Sequence, residues 1–236
     1  MLKPLVVVFG ASGAIGSAIV NWFDNQNFEV WAGSRQANVN QHINNIKLFE
    51  FNAESESDGF SGLNEQSVSA VVWAQGANLS DNIYSLDIDK HRVMYEANVT
   101  YILLSLQAML QKNLLAPSAR LCIISSIWQN IAKQNKLSYC ITKSAIQGLV
   151  QSLSIDLGVA GIMVNAVLPG ALDTPMTRAN LDAQQIKSLE GASPLGALAT
   201  LEDVANLVGF LCSKNNTGIT GQFIAADKGF SNARII

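Results

Sequence analysis

Glycine recurs at every third position in Gly10-Ala11-Ser12-Gly13-Ala14-Ile15-Gly16, directly after the apolar run Leu5–Phe9. An apolar, β-branched run that breaks at glycines and opens a helical pattern reads as strand, tight turn and helix. Glycine allows a positive φ in the turn and lets the backbone approach a phosphate closely. The helix that follows presents free N–H groups and a positive dipole end, which suit a pyrophosphate. The flanking strand and helix give the spacing its weight; alone, it also describes a tight connection with no ligand.

The same alternation continues along the chain. Strands are predicted at Leu5–Phe9, Phe28–Ala32, Ile46–Phe51, Val68–Trp73, Leu121–Ser125, Ile162–Leu168 and Gln222–Ala226. Helices are predicted from the glycine turn to Asn25, and over Ile88–Lys112, Leu137–Leu157 and Leu201–Cys212. Near-continuous apolar strands alternating with helices indicate a parallel sheet covered on both faces. Right-handed crossovers make it doubly wound. The predicted fold is an α/β, Rossmann-type three-layer sandwich around a seven-stranded parallel sheet. No Pro/Gly/Ser-rich linker or fixed-period repeat divides the 236 residues, so 1–236 reads as one domain. Ala53–Ser69 is polar and acidic and reads as a solvated connection. Thr174–Ser193 follows Pro169-Gly170, carries a polar helical pattern around Asp182–Leu189, and reads as a lid.

Composition removes several alternatives. Apolar residues make up 49% of the chain and charged residues 14%, which excludes a disordered chain. The formal charge is -3 and no basic block occurs, so no nucleic-acid partner is expected. The three cysteines, Cys122, Cys140 and Cys212, form no C-x-x-C pair. His42 and His91 stand apart from any carboxylate cluster; both read as surface residues, and no catalytic metal is expected. The N-terminal apolar stretch ends after Phe9, too short for a signal-peptide core, and no run of 18 apolar residues exists. No membrane association and a cytoplasmic location are expected.

Two side chains then point to chemistry. Tyr139 and Lys143 are spaced i,i+4 on a predicted helix and so share a face. A free phenol has a pKa near 10, and an adjacent ammonium favours its phenolate. Ser126 lies 13 residues before Tyr139 at the end of the fifth strand, where open α/β sheets place ligands. Its neighbour Ser125 is the competing assignment. Asn98 lies 28 residues before Ser126, within the long helix. An amide there also serves as a purely structural group bonded to backbone.

With these residues in view, the chain resembles the short-chain dehydrogenase/reductase superfamily in its small single-domain branch. Asn98, Ser126, Tyr139 and Lys143 match that family's Asn-Ser-Tyr-Lys tetrad in spacing. Val164-Asn165-Ala166-Val167-Leu168-Pro169-Gly170, followed by Thr174-Pro175-Met176, is similar to its V-N-x-x-x-P-G segment. Ile219-Thr220-Gly221-Gln222 and Asp227-Lys228-Gly229 are similar to its I-T-G-Q and D-G-G. There are departures. Phe9 stands where the branch has Thr before the glycine turn, and Ala14 where the middle Gly is usual. Gly10, Gly13 and Gly16 instead follow the spacing of the extended branch, whose epimerases and dehydratases need a further C-terminal substrate domain. Trp73-Ala74-Gln75-Gly76 replaces N-N-A-G, and Pro194-Leu195-Gly196-Ala197 replaces P-x-G-R.

The resemblance implies a cofactor cradle from Gly10, Ser12, Gly13, Ile15 and Gly16, with Ser34, Arg35, Asn52, Ala74 and Gly76 along the adenosine. It implies that Pro169, Gly170, Leu172 and Thr174 hold the nicotinamide end. It implies that Lys143 holds the nicotinamide ribose and depresses the Tyr139 pKa, and that Asn98 positions a water linking Lys143 to solvent. Ser126 and Tyr139 would then bond the carbonyl oxygen of a substrate, with Tyr139 as proton donor. An NAD(P)-dependent oxidoreductase acting on a carbonyl/alcohol pair follows. A non-catalytic dinucleotide-binding sensor or structural protein is the alternative.

Cofactor choice is read from the second strand. The position 18 residues beyond Gly16, where an NAD-binding fold has an acid, is Ser34, with Arg35 next. Arg35 can pair with a 2′-phosphate, so NADP(H) is preferred, with NAD(H) possible. An apolar pocket from Ile127, Trp128, Leu172 and Met176 suits a small or medium hydrophobic ketone or aldehyde. Reduction of 3-oxoacyl chains on acyl carrier protein is common among similar chains. However, Leu114–Ala119 and Leu157–Ile162, taken as flanking the site, hold no Lys or Arg for an acidic carrier. Ala97–Gln111 and Ser144–Ile155 contain no charged residue, so both helices should be covered in a homodimer or homotetramer.

Overall fold

The computed structural model describes residues 3–33, 46–51 and 59–232. Seven strands form one parallel sheet: β1 (Leu5–Phe9), β2 (Glu29–Gly33), β3 (Ile46–Phe49), β4 (Val68–Trp73), β5 (Leu115–Ile124), β6 (Met163–Pro169) and β7 (Phe223–Ala226). Their order is β3-β2-β1-β4-β5-β6-β7, so the winding reverses between β1 and β4. Ligands of open α/β sheets bind at such a reversal, at the carboxyl ends of the strands.

β1, β4, β5 and β6 lead into the helices that cover the two faces of the sheet. On one face lie α1 (Ala14–Asn25) and α7 (Leu201–Cys212), whose Ile19, Phe23, Val204 and Val208 meet Val6, Val8 and Val72. On the other lie α2 (Ile88–Tyr95), α3 (Tyr101–Gln111) and α4 (Leu137–Asp156). There Ile102, Leu106, Ile146 and Val150 meet Val7, Phe9, Val71 and Trp73. Odd and even residues of β1 thus supply opposite cores, which explains its unbroken apolar run.

Phe9 and Trp73 are register partners across β1 and β4. Their rings stack with centroids 5.8 Å apart and planes at 10°. The Trp73 indole nitrogen donates to Ser105 Oγ at 2.8 Å, satisfying its polar end inside the core.

Three elements differ from the sequence expectations. β5 starts at Leu115 rather than Leu121, because Val68 pairs with Leu115 and Ala70 with Arg120, leaving extra residues in a bulge where Ser118 has φ 60°. The long helix is broken by a π-helical turn, Glu96–Thr100, between α2 and α3. The connection before β4 is not wholly solvated: Phe60 is 3% exposed and its ring stacks 5.3 Å from that of Phe51. The expected lid comprises two short helices, α5 (Pro175–Asn180) and α6 (Ala183–Gly191), the latter capped by Asp182. Among the described residues no helix is long and apolar enough to cross a membrane.

Candidate active site

The glycine turn forms a cradle that only glycine can build. Gly10 has φ +75°, and a Cβ there would come 2.4 Å from the backbone nitrogen of Gln75. A Cβ on Gly16 would fall 2.1 Å from the Gly10 carbonyl oxygen. The α1 N-terminus starts at Gly13 with no side-chain cap, leaving N–H groups for a ligand. A cavity of about 210 Å³ opens here, lined by Gly10, Ser12, Gly13, Gly33, Ala74, Gln75, Gly76, Ala97 and Tyr101. A bare helix start beside a backbone-lined cavity fits a dinucleotide pyrophosphate. Ile15 packs half-buried against the α1/α7 core, so only its backbone faces the turn. Ser34, Arg35 and Asn52 lie outside the described residues, as do His42 and the side chain of Met176.

The second group converges at the carboxyl ends of β4 and β5. Ser126 follows β5 and caps the short turn Ile127–Gln129, its Oγ accepting from Trp128 N at 3.3 Å. Its hydroxyl acts on the Tyr139 side chain, lowering the pKa of the phenol. Ser125 turns away: its buried Oγ donates to Gln129 Oε1 at 2.8 Å. Geometry therefore separates two serines that the sequence leaves adjacent.

Lys143 is 4% exposed, with Nζ 5.7 Å from the Tyr139 ring centroid and donating to the Ile124 carbonyl at 3.0 Å. Burial lowers its pKa from 10.5 to about 8. Burial pushes the Tyr139 phenol up, and the Ser126 hydroxyl opposes that shift. The expected depression of Tyr139 by Lys143 is not among the causes of the shift: burial is the largest influence on both groups.

Asn98 sits in the π-helical turn, a geometry that often marks functional positions. Its Oδ1 accepts from Ala77 N at 2.7 Å, and its Nδ2 donates to Ala77 O at 3.1 Å and to Thr142 Oγ1 at 2.9 Å. Both amide hydrogens are spent within the protein. The side chain ties the loop after β4 to α4, which is the structural alternative named for it, and leaves no amide donor for a water. Gly76 is small for the same reason, since a Cβ would lie 3.2 Å from Asn98 Oδ1 and 3.8 Å from Lys143 Nζ.

After β6, a Cβ on Gly170 would come 2.7 Å from Asp227 Cβ, so the two loops meet tightly. Leu172 bridges to Ala199. Thr174 caps α5, accepting from Thr177 N at 3.2 Å. Arg178 forks onto Asp173 at 2.6 and 2.8 Å, and that pairing holds the Asp173 carboxyl below its ordinary pKa.

Other expectations need correction. Ile127 is 1% exposed and belongs to the core, so it lines no open pocket. Trp128 does remain accessible, between Phe230 (centroids 6.4 Å) and the Lys133 ammonium (5.5 Å). Leu114–Ala119 and Leu157–Ile162 lie at the amino ends of β5 and β6, across the sheet from Ser126. Their lack of basic residues therefore says nothing about substrate. His91 is half-buried, not a free surface residue: Nδ1 is 2.8 Å from Ser138 Oγ. Ser138 in turn donates to buried Asp81 through its hydroxyl, and through its N–H at 3.0 Å. Asp81 and Ser138 thus fix the start of α4 one residue before Tyr139. Neither was legible, because 57 residues separate them.

Comparison with known proteins shows what the chain is similar to. A family model described as enoyl-(acyl carrier protein) reductase matches residues 62–231. The chain is 31% identical over 149 residues to the cis-4-hydroxycyclohexanecarboxylate dehydrogenase of Sinomonas cyclohexanicum, spanning 63% of this chain and 59% of that one. It is 28% identical over 233 residues to the 3-oxoacyl-(acyl-carrier-protein) reductase FabG of Rickettsia prowazekii, covering 94% of this chain and 95% of that one. The backbone is similar to a short chain dehydrogenase family protein from Francisella tularensis, with TM-score 0.85 and 25% identity over 98% of this chain and 100% of that one.

Proposed function

The chain belongs to the short-chain dehydrogenase/reductase superfamily of NAD(P)-dependent oxidoreductases, and from that premise we propose that it is an NADPH-preferring reductase of a small or medium hydrophobic ketone or aldehyde. The observation that carries this reading is the meeting of Ser126, Tyr139 and Lys143 at the sheet's carboxyl edge, beside the glycine cradle.

When bound, the nicotinamide would supply the hydride. The rest falls to the chain's own groups. Ser126 and Tyr139 hydrogen-bond the carbonyl oxygen and stabilise its developing negative charge. Tyr139, a phenol protonated at neutral pH, delivers the proton to that oxygen. Lys143 would hold the nicotinamide ribose and, as an ammonium below about pH 8, would favour the phenolate left behind. Asn98 is a positioning residue that holds the Ala77 loop and Thr142 around this centre. The sequence position of Arg35 supports the NADP(H) preference, since a guanidinium there would pair with a 2′-phosphate.

The exposed apolar residues Leu103, Leu104 and Leu110 on α3, with Ile141 and Ile155 on α4, support a homo-oligomer in which these helices are covered. A screen of ketones, aldehydes and 3-oxoacyl thioesters with NADPH, read at the nicotinamide absorbance, tests the activity. Binding of NADPH with no turnover across the panel would favour the non-catalytic alternative.

A further inference from the structure

Gln75 carries a group the mechanism does not use. Its Oε1 and Nε2 are both buried, and neither has a hydrogen-bond partner among the described residues. Buried amides are almost always paired, because an unmet donor or acceptor forfeits its bonds to water. Gln75 also lines the cavity that holds Gly10, Ser12, Gly13 and Gly33. Gly33 ends β2, the strand whose end meets the adenosine ribose in dinucleotide folds. The next residue, Gly76, lines the same cavity nearer Asn98 and Lys143. The unpaired carboxamide therefore belongs to the adenosine side of the cradle.

We propose that Gln75 is a specificity-determining contact for the adenosine half of the dinucleotide. Its carboxamide presents one acceptor and two donors, the combination that pairs with ribose hydroxyls or with the edge of adenine. Binding would supply the partners that the described residues do not give it. This inference rests on the dinucleotide reading above.

The test is calorimetric binding of NADPH and of adenosine 2′,5′-bisphosphate to the wild type, Gln75→Leu and Gln75→Ala, with melting curves of each. Loss of these hydrogen bonds should weaken both probes about tenfold in both variants. Melting temperatures should stay at or above the wild type's, since an unpaired buried amide has been removed. Affinities within twofold of wild type would overturn the proposal, as would a loss for NADPH that spares the bisphosphate. A loss accompanied by a fall of several degrees in both variants would assign Gln75 to packing instead. Failure of the wild type to bind NADPH would sink the dinucleotide reading itself, which keeps the two failures apart.

Discussion

Phe9 and Trp73 stack at 5.8 Å as register partners on β1 and β4, and each stands where the family pattern has a small polar residue. Two departures that look independent in the sequence are one aromatic contact in the fold. Both side chains are fully buried. Phe9→Thr and Trp73→Asn should each cost about 3–5 kcal/mol. The double variant should be less damaged than their sum, by about 1 kcal/mol, because the stacking is lost only once. Urea unfolding of the four proteins measures this; strict additivity would show that the pair is not coupled.

Tyr139→Phe should lower kcat by about 10²–10⁴-fold while leaving the NADPH Kd within about twofold. The phenol is the proton source, and its loss leaves the glycine cradle intact. Steady-state kinetics with calorimetry separates the two quantities. Retained turnover would remove Tyr139 from the chemistry.

Lys143→Met should stabilise the protein at pH 7 while abolishing activity. Burial lowers the Lys143 pKa from 10.5 to about 8, so between these values the unfolded chain binds more protons. Stability contributed through Lys143 therefore rises with pH from about 8 to 10.5, and the penalty is complete below 8. A shift of that size corresponds to about 3 kcal/mol. The variant's advantage should be largest at pH 7 and vanish near pH 10.5, as followed by chemical denaturation across that range.

Arg35→Asp should move cofactor preference from NADPH towards NADH by about tenfold or more in the ratio of kcat/KM, replacing a phosphate partner with a repelling charge. A wild type that prefers NADH, or an unmoved ratio in the variant, would contradict the assignment.

Light scattering at micromolar concentration should give a mass of two or four chains. Leu104→Glu together with Ile155→Glu, both exposed in the single chain, should reduce it to one without loss of melting temperature. A wild-type monomer would leave the α3 and α4 faces without their proposed cover.

The sequence by itself determined the alternation of strands and helices, the glycine spacing before α1 and the i,i+4 placement of Tyr139 and Lys143. These are local periods, set by pleat, helical pitch and backbone freedom, so a reader of one segment can see them. Only the tertiary structure decided what surrounds those groups. It sent Ser125 away from Tyr139 and Ile127 into the core, and it made burial, not the lysine charge, the dominant influence on the phenol. It spent the Asn98 amide on Ala77 and Thr142 and left that of Gln75 without a partner among the described residues. Desolvation and hydrogen-bond pairing depend on residues brought together from distant parts of the chain, and no local spacing encodes them.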